Sequence, residues 1–430
     1  MGKEVTFIMN RRAFLSVGAA AAAVRAVQAL GKPAPPDHVS PQPSGARRIL
    51  FSTRGKIGFI REDGAGERIL SLDIPNQTLW GPGPFFSDNR RMLLTSYENG
   101  ATWKGNVRTR LWAFDLADES LSEFVLKNRP ADQIAVSAIL PGDERIVAGP
   151  IIDGEQRVMI MNLDGTDQVE VTRKGDGFAY CVTLSPDAKR LAFHITGKKP
   201  YRIMVTDLDG SNRVVVAEHP EHLYFGPMWS PDGAWLLYQD CHVLNGRREV
   251  VDPGHDWSDL CIGRPDGPNG PEHRVVTTGQ GCWFAASYGN PKIPETVSSG
   301  SNLPVWSPDG ATVTWIRRAP GARTPWQWAT DRPDKDHFNR DYLPEHSRGG
   351  THLRLLDPFT GAVSELTPAE PHRWDCYPAW SLDGRKIAFS RVQDGGAPEL
   401  WIMDAGGGNP RLLTRGENGM GAKYPRFLPG

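Results

Sequence analysis

A short turn sequence, Ser-Pro-Asp-Gly or a close relative of it, recurs along the chain between runs of apolar residues. Proline presets φ, while Asp and Gly tolerate a tight turn, so each copy predicts a β-hairpin with the flanking runs as strands. The 46 Gly and 36 Pro fit many such turns, because both residues disfavour helix interiors. Clear copies lie at 184–188, 229–233, 306–310 and 380–384, and weaker ones at 86–89 and 140–143.

Each hairpin precedes two further apolar runs, the first ending near Asp and the second near Thr, which makes four predicted strands per repeat. Four-stranded antiparallel sheets are the blades of a β-propeller. Six complete repeats fill 80–415, and 49–70 forms a repeat that lacks its first strand. Because 424–429 resembles 377–382, the C-terminal segment is expected to supply that strand. The sequence therefore predicts an all-β, seven-bladed propeller closed by its C-terminal strand, without an exposed blade edge.

The Trp-Ser-Pro-Asp-Gly turns, the Met-Asp-Ala-Gly-Gly ending at 403–407 and the Leu-Leu-Thr closers resemble the repeat of TolB-like propellers. The resemblance covers essentially the whole chain after its first 45 residues. It implies the fold and leaves the function open, because such blades serve periplasmic binding proteins, prolyl oligopeptidase gates and oligogalacturonate lyase. A complete prolyl oligopeptidase is not expected, because the chain has no Gly-x-Ser-x-Gly nucleophile elbow.

The N-terminal residues predict an export signal. Arg11 and Arg12 precede an apolar run at 17–24 and small residues near Ala29, an order that resembles a twin-arginine leader. The run is about half of the roughly 20 residues that span a bilayer, which favours a cleaved leader over a permanent membrane anchor. The predicted organisation is a twin-arginine-type signal peptide at 1–29, a Pro-rich linker at 30–45 and a single propeller at 46–430, in a protein that is periplasmic or secreted.

Charge and cysteine content exclude some partners. The 49 Lys and Arg balance 50 Asp and Glu, so no overall field draws in nucleic acid or anionic lipid. The five cysteines include no Cys-x-x-Cys pair that would indicate a zinc cluster. One or two disulfides are compatible with this number in an exported protein, and the segment from Cys241 to Cys282 is the favoured place.

Four insertions, at 97–110, 239–259, 281–303 and 317–351, lie on the side of the predicted propeller opposite the short turns. Long, varied loops carry function more often than uniform turns do, so this side is the predicted working face. Aromatic rings stack on sugar faces and arginine grips carboxylates, which favours an acidic oligosaccharide or polysaccharide as the partner. The predicted substrate-binding residues are Tyr180, His222, His255, Tyr288, Asn302, Trp326, Trp328, Arg373 and Trp374.

A more specific resemblance is to oligogalacturonate lyase, in which a histidine after the second strand of a blade acts as the base. His194 follows Phe193 in a similar place. The resemblance implies β-elimination, in which a base removes the proton beside a carboxylate and a cation neutralises the developing charge. A purely structural role for His194, as a strand-end histidine bonded to a neighbouring loop, is the alternative. The predicted catalytic set is His194, Tyr224, His242, Arg317 and Arg323, with Arg318 as a further candidate cation.

The manganese ligands of that family are not carried over, because 225–228 and 301–304 lack histidines where the family has them. A different site for manganese, calcium or zinc stays open, with Asp240, His242, His255 and Asp256 as candidate ligands. Two functions are compatible with the sequence. One is a polysaccharide lyase that cleaves uronic-acid glycans, and the other is a non-enzymatic TolB-like propeller that binds a periplasmic protein or peptide. The many titratable residues expected on one face favour the enzyme.

Overall fold

The structure, a computed structural model, describes residues 47–429 except 54–55, 73, 99–106, 199, 221, 243–257, 279–281, 283–284, 289–297, 324–325, 329–339 and 344–345. This part of the chain consists of β-strands, turns and one 3-10 segment, Glu417–Gly419. Among the described residues, no helix has the length and apolar character needed to cross a membrane. The predicted signal peptide and linker lie outside the described residues and stay predictions.

The first half of the chain forms strands in the predicted order. They are β1 (Arg48–Thr53), β2 (Lys56–Arg61), β3 (Arg68–Leu70), β4 (Gln77–Phe85), β5 (Arg91–Glu98), β6 (Thr109–Asp115), β7 (Leu121–Phe124), β8 (Ile134–Ile139), β9 (Arg145–Ile152), β10 (Glu155–Gln156), β11 (Met159–Asn162), β12 (Val169–Glu170), β13 (Phe178–Leu184), β14 (Arg190–Thr196), β15 (Tyr201–Asp207) and β16 (Val214–His219). Antiparallel pairing defines unit 2 (β4 to β7), unit 3 (β8, β9, β11 and β12, with β10 also on β9) and unit 4 (β13 to β16).

The second half continues the series. Its strands are β17 (His222–Trp229), β18 (Leu236–His242), β19 (Ser258–Arg264), β20 (Glu272–Val275), β21 (Ala285–Tyr288), β22 (Ser298–Ser301), β23 (Val305–Trp306), β24 (Val313–Arg318), β25 (Trp326–Trp328), β26 (Arg340–Tyr342), β27 (Gly350–Leu356), β28 (Val363–Glu365), β29 (Arg373–Trp380), β30 (Lys386–Gln393), β31 (Glu399–Asp404), β32 (Arg411–Thr414) and β33 (Lys423–Phe427). Unit 5 is β17 to β20, unit 6 is β23, β24, β27 and β28, and unit 7 is β29 to β32. The pairs β21–β22 and β25–β26 are separate hairpins.

Unit 1 takes its strands from both ends of the described chain. Its order is β3-β2-β1-β33, with Ile49 opposite Phe427. The sequence-based pairing of the C-terminal segment with the first repeat is therefore observed. Units 6 and 7 are also joined by strand pairing. Here β27 runs parallel to β29, and Gly350 lies opposite Arg373.

Hydrogen bonds of the serine hydroxyl stabilise the repeated turn. In unit 5 the Ser230 hydroxyl donates to Asp232 and accepts the backbone N–H of Trp235 at 2.9 Å. Gly233 has a φ of 72°, in the left-handed region that favours glycine. The same two hydroxyl contacts recur at Ser185, Ser307 and Ser381.

Successive units pack against each other through apolar cores. Each pair of consecutive units from 1 to 7 shares one buried cluster. A further cluster joins Ile49 and Phe427 of unit 1 to Ala388 and Leu400 of unit 7. The turns add contacts between units, because a Cβ placed on Gly233 would lie 3.4 Å from Cδ of Pro186 in the preceding turn.

The tryptophans of the repeat pack as expected from their position before the turn. Trp229 and Trp306 are buried in the cores on either side of unit 5, and Trp380 packs against the core between units 6 and 7. The Trp306 Nε1 atom donates to the backbone carbonyl of Met228 in the preceding unit, at 3.3 Å. The packing interpretation of these three residues is therefore confirmed.

A β-bulge interrupts the first strand of several units. Cys181, Gly226, Tyr377 and Tyr424 have φ between 48° and 62°, and the pairing register shifts beside each of them. The bulge breaks the alternation of buried and exposed residues along the strand. Each strand continues on the other side of the bulge. The candidate residues that therefore lie in first strands, and not in the loops expected to carry the site, are Tyr180, His222, Tyr224, Arg373 and Trp374.

Two other expectations are corrected. The second strands are longer than predicted, so Asp240, His242, Arg317 and Arg318 lie on β18 and β24 rather than in insertions. No disulfide forms in the segment from Cys241 to Cys282, the favoured place for one, and all five cysteines are free and buried. They fill core positions as small apolar residues, and burial raises the pKa of the Cys282 thiol to about 12.

Candidate functional site

The first strand of a unit begins where its antiparallel second strand ends, which is the end opposite the Ser-Pro-Asp-Gly turn. We call this end the loop-bearing edge. In unit 5 the register places His222 opposite His242 and Tyr224 opposite Asp240. Asp240 also lies opposite Asp259 of β19. Because strand residues two apart share a face, these backbone positions lie on one face of unit 5 at its loop-bearing edge.

His222 and Asp240 form a hydrogen-bonded pair at this edge. The His222 Nδ1 atom lies 3.1 Å from Oδ2 of Asp240, whose side chain is 7% exposed, whereas that of His222 is 30% exposed. A carboxylate that accepts the Nδ1 proton fixes the tautomer and makes Nε2 the basic nitrogen. The His219 ring lies 3.9 Å from the His222 ring, centroid to centroid and tilted by 30°, and its Nδ1 accepts the His222 backbone N–H at 3.0 Å. The imidazole is thus oriented on two sides while part of it reaches solvent.

A layer of neutral aromatic groups lies beneath this pair. The Tyr238 hydroxyl is 2.6 Å from Nδ1 of His273, and Tyr224 packs edge-on against both rings. Burial, and then the charge of Asp240, raise the pKa of Tyr224 above its ordinary value. Burial also lowers the pKa of His273. The aromatic groups that pack beneath the His222–Asp240 pair are therefore uncharged near neutral pH.

His194 occupies a different environment from His222. It is fully buried, with its ring between those of Tyr180, at 5.7 Å, and Phe225, at 5.3 Å. Its Nδ1 accepts the backbone N–H of Gly226 at 3.4 Å. Burial lowers the pKa of His194 to about 3. This geometry matches the structural role that the sequence left open, and a catalytic role for His194 stays a prediction.

Unit 7 contributes a buried acid between arginines. Asp375 is inaccessible to solvent and accepts two hydrogen bonds from Arg391, at 2.7 and 2.9 Å. The Arg373 Nε atom lies 3.7 Å from the same carboxylate, and its Nη1 pairs with Glu370 at 2.5 Å. This network fixes Arg373, one of the predicted binding residues, at the loop-bearing edge.

Unit 6 adds two arginines at the end of β24, Arg317 and Arg318, which are both half-buried. Burial, and then the charge of Arg317, lower the pKa of Arg318. Like charges are therefore held close together in a partly desolvated place. Such a place favours an anionic partner, because a bound carboxylate would relieve the repulsion.

Three other predicted binding residues face inward. Asn302 is fully buried and accepts the Tyr377 backbone N–H through Oδ1 at 2.8 Å. Trp374 is 1% exposed and donates through Nε1 to Asp394 at 2.5 Å. Tyr180 pairs across the strands with the buried His194. Direct contact between these residues and a ligand stays a prediction.

The structure leaves some predicted residues untested. His255 and Asp256 lie outside the described residues, and the structure places only the backbone of His242, Tyr288, Trp326 and Trp328, on strands β18, β21 and β25. Arg323 is exposed and exchanges backbone hydrogen bonds with Arg348. Within the described ranges, no three or more His, Cys, Asp or Glu residues form a group that could hold a metal ion. The metal site therefore stays a prediction.

The sequence-based reasoning missed two polar residues that the structure brings into these units. Arg391 holds the buried carboxylate of Asp375, and His352 lies opposite Arg317 on β27. Both stand in strands of mixed composition, KIAFSRVQ and GTHLRLL, so the sequence alone carried no clear signal for either.

No family model matches the chain, and no curated protein matches its sequence. Its fold matches many solved structures. A puromycin-hydrolyzing peptidase from Mycobacterium tuberculosis has a TM-score of 0.50 at 13% identity, over 96% of this chain and 56% of the peptidase. The fold is therefore all-β and propeller-like, and this chain spans about half the length of that peptidase.

The matches also include the two groups that the repeat resembles. An oligogalacturonate lyase from Vibrio parahaemolyticus has a TM-score of 0.45 at 13% identity, over 86% of each chain. TolB from Acinetobacter baumannii has a TM-score of 0.43 at 15% identity, over 89% of this chain and 67% of TolB.

Proposed function

We propose that the protein is an exported, seven-bladed β-propeller that binds acidic glycans at its loop-bearing edge and cleaves them by β-elimination. The observation that carries the catalytic part is the hydrogen bond between His222 and Asp240, since it orients a partly exposed imidazole. The half-buried Arg317 and Arg318 support the binding part, because they concentrate positive charge at the same edge.

Units 1 to 7 serve as the blades in this proposal. The pairing of β33 with β1 supports closure between the first and last blades, as does the apolar cluster shared by units 1 and 7. An ion pair between Arg47 and Asp383, with Nη1 and Oδ1 2.6 Å apart, joins the same two units. A closed arrangement protects the strand edges and holds the loop-bearing edges of the blades together.

The chemistry assigns a separate task to each group. The His222 Nε2 atom takes the proton from the carbon beside the substrate carboxylate, the C=C bond forms, and the glycosidic C–O bond breaks. The departing glycosidic oxygen takes up a proton from water and leaves as a hydroxyl group. Asp240 holds the imidazole and stabilises its protonated form. An arginine at the end of β24 neutralises the charge that develops on the substrate carboxylate. This assignment moves the base from His194 to His222, which is the more exposed of the two.

The test is to incubate the mature protein with uronic-acid polysaccharides and follow the absorbance of the unsaturated product. We expect the wild type to produce it and His222→Gln to lower kcat about 100-fold or more with nearly intact binding. His372→Gln is the matched control. Its Nδ1 also contacts a carboxylate, Asp394 at 2.8 Å, but the side chain is 66% exposed and is expected to be dispensable.

Two results would contradict the proposal in different ways. Full activity of His222→Gln would refute the base assignment while leaving the lyase function intact. A wild type that binds no uronic-acid polymer and forms no unsaturated product would refute the lyase function. Capture of a periplasmic protein in its place would then support the non-enzymatic TolB-like alternative.

A further inference from the structure

A polar patch lies inside the apolar contact between units 5 and 6. On β24 and β27, Trp315 is opposite Arg354, and Arg317 is opposite His352. These four residues lie on the face of unit 6 that packs against unit 5, because Trp315 belongs to the core that the two units share. Polar groups at such a place are unusual and need partners.

Several side-chain atoms of this patch have no hydrogen-bond partner among the described residues. Neither ring nitrogen of His352 has a hydrogen-bond partner in the described part of the chain, and the same holds for Nε1 of Trp315 and Nε of Arg354. His352 is 3% exposed and Trp315 is fully buried, so bulk water does not satisfy them. An unpaired buried donor loses its hydration without replacement, which is destabilising.

Unit 5 presents another unsatisfied atom to the same contact. Gln239 is fully buried, its Nε2 donates to Sγ of Cys282 at 3.3 Å, and its Oε1 has no hydrogen-bond partner among the residues that the structure describes. The backbone of Cys282 bridges to Arg317, which brings Gln239 close to the patch on unit 6. Donors and an acceptor from two units thus converge on one buried place.

The charge at this place favours an anion. Burial lowers the pKa values of both Arg354 and His352. The charge of Arg317 lowers the pKa of Arg354 further, and the charges of Arg354 and Arg317 lower that of His352 further. The charges of Glu365 and Asp375 raise the pKa of His352. However, Glu365 is mostly exposed, and Asp375 is already bonded to Arg391. The N–H groups of Trp315 and Arg354, together with one from His352, can therefore surround a negative charge.

We infer that a small monovalent anion of the chloride or formate type binds between units 5 and 6, held by Trp315, His352 and Arg354. A bound water molecule shared with Gln239 Oε1 completes the hydrogen bonding. The anion lies beside Arg317, which the proposed function assigns to glycan binding, and it fastens two units together. Because the anion binds the folded state alone, it stabilises the fold in proportion to its occupancy.

The test measures thermal unfolding of the whole mature protein in gluconate buffer, with chloride or formate replacing gluconate at constant ionic strength. The wild type is expected to show a saturable rise in Tm. At ten times Kd, the ratio of folded to unfolded protein rises about 11-fold. The two anions separately identify a halide or a carboxylate occupant, and equal, unsaturable responses to both would overturn the site.

Trp315→Phe removes the unpartnered N–H and keeps an aromatic ring, so the saturable rise should disappear. Trp306→Phe is the matched control, because its indole N–H belongs to the same core but already bonds to Met228. It should keep the rise even though its baseline Tm falls. A bromide soak of wild-type crystals needs no variant. Anomalous density between Trp315 and His352 is expected, and density for water alone there would refute the site.

Discussion

The apolar contact between units 1 and 7 makes Phe427 a sensitive position. Its side chain is 4% exposed and packs with Ile49, Ala388 and Leu400, residues that come from opposite ends of the chain. Truncation to alanine removes the buried ring and leaves a cavity that the flanking strands can fill only in part. Phe427→Ala is therefore expected to cost about 3–5 kcal/mol of unfolding free energy.

The assay is denaturant-induced unfolding followed by tryptophan fluorescence, with free energies from linear extrapolation. Phe359→Ala is the matched control, because that phenylalanine is 44% exposed and should cost under about 1 kcal/mol. A loss below about 1 kcal/mol in Phe427→Ala, or equal losses in the two variants, would show that units 1 and 7 do not depend on this contact.

Three further predictions concern the site, the pH dependence and export. Asp240→Asn should lower kcat about 10-fold or more with KM unchanged, because an amide no longer fixes the tautomer of His222; unchanged kcat in steady-state assays would contradict this. The pKa of His194 falls from 6.5 to about 3 on folding. Its contribution to the free energy of unfolding is therefore complete above pH 6.5 and is lost as pH falls toward 3. Unfolding free energy should therefore decline by up to about 1.4 kcal/mol per pH unit in that window, and folded His194→Asn should show a smaller slope in urea titrations. Replacing Arg11 and Arg12 with Lys should retain precursor in the cytoplasm on immunoblots; normal export would refute the twin-arginine assignment.

The turns and cores were predictable because they depend on local chemistry. A serine hydroxyl that bonds Asp232 and the Trp235 N–H needs only residues within the same turn. The bulged strands were not predictable in the same way. Nothing in the sequence near Gly226 indicates that β17 extends to both sides of its bulge, because the hydrogen bonds that hold the strand come from β18.

The candidate site shows a similar division. The sequence named both His222 and Asp240, as candidates for sugar binding and for a metal site, but it did not indicate that they contact each other. Their pairing depends on the register of β17 against β18, and a shift of one residue would move one of them to the opposite face. His352 was missed because its environment is created by unit 5, which lies far from it in sequence.

The sequence by itself therefore determined the all-β class, the repeat and the turn geometry, since each follows from residue types at short spacing. It also determined that the C-terminal segment resembles a first strand, and the structure pairs that segment with β1. Only the tertiary structure decided which histidine is exposed beside a carboxylate and which is enclosed by aromatic rings. Burial is a property of the packed units, and it separates a partly exposed imidazole beside a carboxylate from one enclosed between Tyr180 and Phe225.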